Sequence, residues 1–139
     1  MENNLNINGM IPYIVEKIAS LLQFSDKEEW YAYDEDDEYL PGKRLDEFVS
    51  FVYNELTKNL RNEELLKRCF EVVEKLLEIG DEKVKNYIYF MFIESLTNQL
   101  GNDGYDENIV RPYMGPRSLR ALDRINDFWM KGKIIESLD

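Results

Sequence analysis

Between Asp26 and Tyr39 the chain reads DKEEWYAYDEDDEY, and these residue types could do two kinds of chemistry. Eight of the 28 acidic residues lie here (Asp26, Glu28, Glu29, Asp34, Glu35, Asp36, Asp37, Glu38) against Lys27 alone, so the stretch holds −7 of the formal −11 net charge. The first chemistry is cation binding. Asp34, Asp36 and Glu38 mimic the opening positions of a calcium loop. The match fails because Tyr39 stands where the sharp turn needs glycine, and Leu45 where a bidentate glutamate is needed. The second is protein recognition. Trp30, Tyr31, Tyr33 and Tyr39 are interleaved with the acids, and such rings give large contact area at low entropic cost. The carboxylates around them would steer a basic partner and speed encounter. The other account of the segment is a solvated loop whose rings tuck against the core. The two are compatible: Trp30 in the core, Tyr31, Tyr33 and the run Asp34, Glu35, Asp36, Asp37, Glu38 on the recognition surface.

A second set of charges surrounds Glu94. The fourth helical pattern places Glu94 along its inner side, where an ionised carboxylate must be paired or hydrogen-bonded. Arg117, Arg120 and Arg124 repeat at three and four on one face of the last helical pattern, and Arg111 precedes them. Two readings stand side by side: a structural ion pair that fixes helix packing, or a polar pocket that recognises a ligand. Residues 111–133 hold six basic residues and two acids. This local excess serves either internal charge complementarity or an anion site.

Catalytic signs are missing. The chain has no histidine, which excludes the usual triads, imidazole acid–base work and histidine-containing zinc sites. The seven glycines are scattered and make no phosphate-binding loop. Carboxylate pairs remain chemically able to do glycosidase-type work, but only Glu94 has an apolar surround. The expectation is a protein that is not an enzyme and uses no metal or cofactor.

A pI near 4.5 argues against binding nucleic acid or an anionic membrane by charge. The longest apolar run, Tyr87 to Ile93, is far short of the ~20 residues that span a bilayer. The opening residues MENNLNINGM lack a basic region followed by an apolar run, so a cytoplasmic location is expected. The single cysteine, Cys69, lies in a helical apolar pattern and reads as a small buried hydrophobe.

These residues need a scaffold, and 139 of them make one domain, residues 1–139. Such a chain buries roughly two-thirds of its unfolded surface. Apolar residues recur at three and four, the signature of amphipathic helices. The first helix is expected over Pro12 to Gln23, with Pro12 in its first turn. The acidic segment spans 24–43 and closes with Pro41-Gly42 as a turn. A second helix covers Leu45 to Asn59, with Leu45, Phe48, Val49, Val52, Leu56 and Leu60 inside. A third covers Asn62 to Ile79, capped by Asn62 and ended by Gly80 in the left-handed position. Asp81 caps a fourth, Glu82 to Leu100, which is apolar nearly all round and hence central. The short Gly80-Asp81 connection predicts an antiparallel pairing of the third and fourth helices. A punctuated connection follows, with a short helix over Asp106 to Arg111. The last helix runs from Gly115-Pro116 to Met130 with Leu119, Leu122, Ile125 and Trp129 inward. Ile134, Ile135 and Leu138 form a docking tail. The fold class is all-α: a single-domain bundle of five or six helices with an antiparallel central pair.

The blocks EVVEKLL, GDEKVKNYIYFMFIESL and GPRSLRALDRINDFWMKGK resemble a family of small acidic bacterial helical domains of unknown function. Those domains are similar to ones encoded beside polymorphic toxins as candidate immunity proteins. The resemblance covers residues 45–133 and leaves out the acidic segment. Its recurrent elements map to Gly80 and Asp81, to Phe92, Glu94 and Leu96, and to Gly115, Pro116, Ser118, Arg120 and Trp129. It implies stoichiometric binding of a protein. The leading expectation is therefore a non-catalytic module that binds a basic protein. The alternative is a small-ligand or regulatory domain built around Glu94 and the arginines. A third reading, a scaffold whose helices serve oligomerisation, leaves the oligomeric state open.

Overall fold

The computed structural model describes residues 5–19 and 41–131 of the chain, and there the fold is all-helical. The first helix, α1 (Ile7–Lys17), begins ahead of the expected Pro12. The reason is Asn6, whose side-chain oxygen accepts from the Gly9 N–H at 3.2 Å and caps the helix. Pro12 thus sits inside the helix rather than in its first turn. The expected continuation to Gln23 lies outside the described residues beyond 19.

The next helix, α2 (Pro41–Thr57), starts where a turn was expected. Proline at the first helical position loses only an N–H that has no intrahelical partner there, so Pro41 begins the helix. Leu45, Phe48, Val49, Val52 and Leu56 are buried as predicted, but Leu60 falls beyond the helix end and is 89% exposed. In α3 (Glu63–Ile79) the predicted cap holds: the Asn62 side chain accepts from the Leu65 N–H at 3.1 Å. Its inner residues Leu66, Cys69, Phe70, Val73, Leu76 and Leu77 are buried.

Gly80 is not left-handed. Its φ of −70° and ψ of 151° are extended, and it forms a parallel bridge with Leu5. The Leu5 N–H donates to Ile79 and the Leu5 carbonyl accepts from Asp81, both at 2.8 Å. Glycine is required there for room: a Cβ would meet the Leu76 carbonyl at 2.6 Å and Val84 Cγ1 at 2.5 Å. Asp81 does cap the next helix, accepting from the Val84 N–H at 3.0 Å.

That helix is one continuous run in three parts: α4 (Glu82–Asn86), a π-helical segment (Tyr87–Glu94) and α5 (Ser95–Asn102). The π geometry has a reason in the sequence. Val84, Ile88, Phe92, Leu96 and Leu100 are spaced by four and all fully buried. In an α-helix each step of four drifts about 40° around the axis. The wider i→i+5 turn turns the drift back, so the stripe stays on the core. The run is central as expected. Its π segment packs most on α2 and on α6 (Pro116–Lys131), with α3 a lesser contact. Phe92 holds the middle, with its ring 5.0 Å from Phe48 and 6.0 Å from Phe70.

Two 3-10 turns, Glu107–Ile109 and Arg111–Tyr113, replace the short helix expected at 106–111. The final helix α6 starts at Pro116 as predicted, with Leu122 and Ile125 buried and Leu119 packed against the core. The Trp129 side chain and the tail residues Ile134, Ile135 and Leu138 lie outside the described part.

Candidate functional site

The carboxylates that this fold brings together mostly join one segment to another. Glu74, on α3, accepts the N–H groups of Arg117 at 2.8 Å and Ser118 at 3.1 Å, and the Ser118 hydroxyl at 3.2 Å. It therefore caps α6 from a distant helix and sits at the positive end of its dipole. Arg117 reinforces the contact with a guanidinium nitrogen at 3.6 Å. Glu55, nearly buried in α2, accepts the Asn62 N–H at 2.6 Å and pairs with Lys58 at 3.0 Å, closing the turn into α3. Glu107 takes Arg111 at 2.8 Å and Asn126 at 3.2 Å, and Arg111 reaches Asp123 at 3.0 Å. These paired carboxylates, led by Asp123, hold the Arg111 guanidinium above its ordinary range. Tyr113 donates to Glu63, accepts from Arg61 at 3.2 Å and stacks on Phe70.

The set predicted around Glu94 is thereby divided. Arg111 and Arg117 are committed to Glu107 with Asp123 and to Glu74 respectively. Arg120 lies exposed on α6. Glu94 and Arg124 are both half-buried, and the charges of both act on the Tyr89 phenol. Burial pushes the Tyr89 phenol up, the Arg124 charge opposes this, and the Glu94 charge adds to it. Tyr89 is fully buried in the π segment, and its hydroxyl has no hydrogen-bond partner among the described residues. The Arg44 Nε is likewise buried and unsatisfied, although another nitrogen of that guanidinium pairs with Glu47 at 3.1 Å. Buried polar atoms without partners are rare in folded proteins, and π turns recur at functional sites. The spacing of four in Val84–Leu100 was the one available signal for the π segment, and nothing in the sequence marked Tyr89 hydroxyl as unsatisfied.

A cleft of about 480 Å³ lies between α1 and α3. Tyr13, Glu16 and Lys17 form one wall, and Arg68, Glu71, Val72 and Lys75 the other. The Lys17 ammonium stands 5.5 Å from the centre of the Tyr13 ring. The sequence reading passed over these residues because each looks like an ordinary solvated helix position. Only the placement of two helices side by side makes them a group.

The predicted partner-binding residues Trp30, Tyr31, Tyr33, Asp34, Glu35, Asp36, Asp37, Glu38 and Tyr39 lie outside the described residues. Cys69 is buried as expected, and burial pushes its thiol up to about 12. Among the described residues no group of three or more acidic, cysteine or histidine side chains could hold a metal ion. No helix there is long and apolar enough to cross a membrane.

The family described as a domain of unknown function (DUF7674) matches residues 11–130. The chain belongs to this family. No curated protein and no solved structure matches it. The DUF7674 match extends beyond the residues 45–133 that carry the sequence resemblance, so it takes in the acidic aromatic segment between α1 and α2. It runs from α1 into the last turn of α6.

Proposed function

We propose that this DUF7674 domain is a non-catalytic protein-binding module that neutralises a basic protein by occluding its active surface, as an immunity protein does a toxin. The observation that carries the reading is the concentration of −7 of the −11 net charge, with four aromatic rings, in residues 26–39. Charge of that density raises the encounter rate with a basic surface, and the rings supply anchoring area. Five of the described acids favour the same reading. Glu55, Glu63, Glu74, Asp103 and Glu107 are each engaged by a backbone N–H, an arginine or a tyrosine. They serve the frame rather than a reaction. The resemblance to domains encoded beside polymorphic toxins points the same way, and with it to a bacterial cytoplasm.

The test is a tagged pull-down from source-cell lysate at low and high salt, beside a variant with Asp34 to Glu38 changed to Asn and Gln. The expected result is one basic protein, bound stoichiometrically, inhibited by the domain and lost in the variant. An unchanged association rate of the variant with that protein would refute steering by the acidic run.

One observation keeps a second reading alive. The Tyr89 hydroxyl, without a partner among the described residues and within the fields of Glu94 and Arg124, is where a small-ligand or regulatory pocket would lie. Glu94→Gln separates the two cases: a structural Glu94 lowers stability, whereas a pocket Glu94 abolishes ligand binding with the fold intact.

A further inference from the structure

The cleft between α1 and α3 gathers charges of both signs, unpartnered among the described residues, into one concavity. The carboxylates described above are spent within the frame: Glu74 on α6, Glu107 on Arg111, Glu55 on the α2–α3 turn. In the cleft, the side chains of Glu16, Arg68 and Glu71 make no hydrogen bond or ion pair with any described residue. Lys75 is shared with Glu78 at 3.3 Å, and Lys17 rests over the Tyr13 ring. Among the described residues the concavity thus presents an uncommitted guanidinium and carboxylate on the α3 wall and an uncommitted carboxylate on the α1 wall. Its volume lies within the range of small-molecule sites, roughly 300–1,000 Å³. Arg68, Glu71, Val72 and Lys75 fall on one stripe of α3, spaced by three, four and seven, and Tyr13, Glu16 and Lys17 repeat the spacing on α1. Both walls belong to regular helices, so the backbone positions that carry the groups are fixed before any ligand arrives.

We propose that this cleft binds a small zwitterion, a molecule with a carboxylate and an ammonium a few ångströms apart, as in a free amino acid. A purely anionic ligand would face Glu16 and Glu71, and a purely cationic one would face Arg68 and Lys17. A ligand with both charges meets a partner for each. Arg68 takes the carboxylate through its planar pair of N–H donors. Glu71 and Glu16 accept from the ammonium. Val72 and the Tyr13 ring supply the apolar floor against which a side chain rests. The cleft lies on elements separate from the acidic aromatic segment, so this inference stands or falls apart from the protein-binding reading.

The experiment is NMR titration of the full chain, following the Val72 methyl groups, with each of the twenty proteinogenic amino acids in turn. The best binder is then repeated as its N-acetyl and its carboxamide derivatives. The expected result is saturable shifts for at least one free amino acid. Both blocked forms and both variants, Arg68→Gln and Glu71→Gln, should bind about tenfold more weakly or worse, since each loses a charge-assisted hydrogen bond. The variants replace exposed side chains, and an unchanged amide spectrum away from the cleft shows that they fold. Saturable shifts that survive N-acetylation would show an anion site and overturn the proposal, as would shifts that survive amidation or both substitutions. The absence of saturable shifts with all twenty amino acids would overturn it equally.

Discussion

Gly115 and Glu74 are fitted to one another: a Cβ on residue 115 would stand 2.6 Å from the Glu74 carboxylate oxygen that accepts the Ser118 N–H. The glycine makes room for the cap, and the cap is the reason for the glycine. Glu74→Ala should cost about 1–3 kcal/mol, because it leaves the first N–H groups of α6 without their acceptor. Gly115→Ala alone should destabilise by pushing Glu74 off those donors. In the Glu74→Ala background the same alanine meets no carboxylate, so its cost should largely vanish. Urea unfolding of the two single variants and the double variant checks this. Additive effects would mean that Gly115 serves something other than the approach of Glu74.

Tyr53 ties α2 to the chain after α5 by donating its hydroxyl to Asp103, and Tyr105 stands edge-on to its ring. The Asp103 hydrogen bond, aided by burial and the Asp103 charge, pushes the phenol from 10.0 up to about 12. The folded state therefore favours the protonated phenol. The contribution is complete below pH 10 and is lost as pH rises from there through about 12. In an ultraviolet titration, Tyr53→Phe should remove a phenolate step near pH 12 from the native profile. Loss of a step near pH 10 instead would show that the hydroxyl is free of Asp103.

Cys69 is packed inside α3, and burial raises its thiol from 9.0 to about 12, with Arg68 opposing. At pH 8 this leaves about a thousandfold less thiolate than an ordinary cysteine, and thiolate is the reactive form. Native protein should react with a disulfide reagent only at the rate of its unfolding, and denatured protein at once. The linkage has the same sign as for Tyr53: stability is intact below pH 9 and falls as pH rises through about 12. A fast native reaction would place Cys69 at the surface.

Much of the frame was legible in the sequence because its signals are local. Asn62 and Asp81 cap the helices they were expected to cap, and Pro116 opens the last one. The misreadings came from positions whose meaning depends on remote contact. Gly80 looked like a left-handed helix stop, but it is extended because Leu5, far off in sequence, bridges to it. Pro41 read as a turn because Gly42 follows it, yet its ring suits the first turn of α2 equally well. The site was harder still. Arg111 and Arg117 were assigned by charge to Glu94, although Glu107, Asp123 and Glu74 lie nearer in space. Helical spacing shows which residues share a face of one helix but not which face of another lies opposite, and the α1–α3 cleft exists only through that second relation.

Two tyrosines set up opposite outcomes for one chemical change. Tyr113 uses its hydroxyl twice, as donor to Glu63 and as acceptor from Arg61 at 3.2 Å. Tyr113→Phe should cost about 0.5–1.5 kcal/mol, the ordinary net worth of such a bond, and more if Glu63 is left unsolvated. Tyr89 is more deeply buried, yet its hydroxyl has no partner among the described residues. Its ring packs 4.9 Å from Phe90, and that packing survives the change to phenylalanine. Removing a desolvated, unsatisfied hydroxyl should leave stability unchanged or raise it by up to about 3 kcal/mol. The comparison is made by thermal unfolding of both variants at pH 7, where both phenols are neutral. Stability retained in Tyr89→Phe would mean that the hydroxyl is kept for something other than folding, which is what a pocket at Glu94 and Arg124 requires. A loss as large as that of Tyr113→Phe would mean that the hydroxyl is satisfied within the fold, and the pocket reading would lose its one unsatisfied atom.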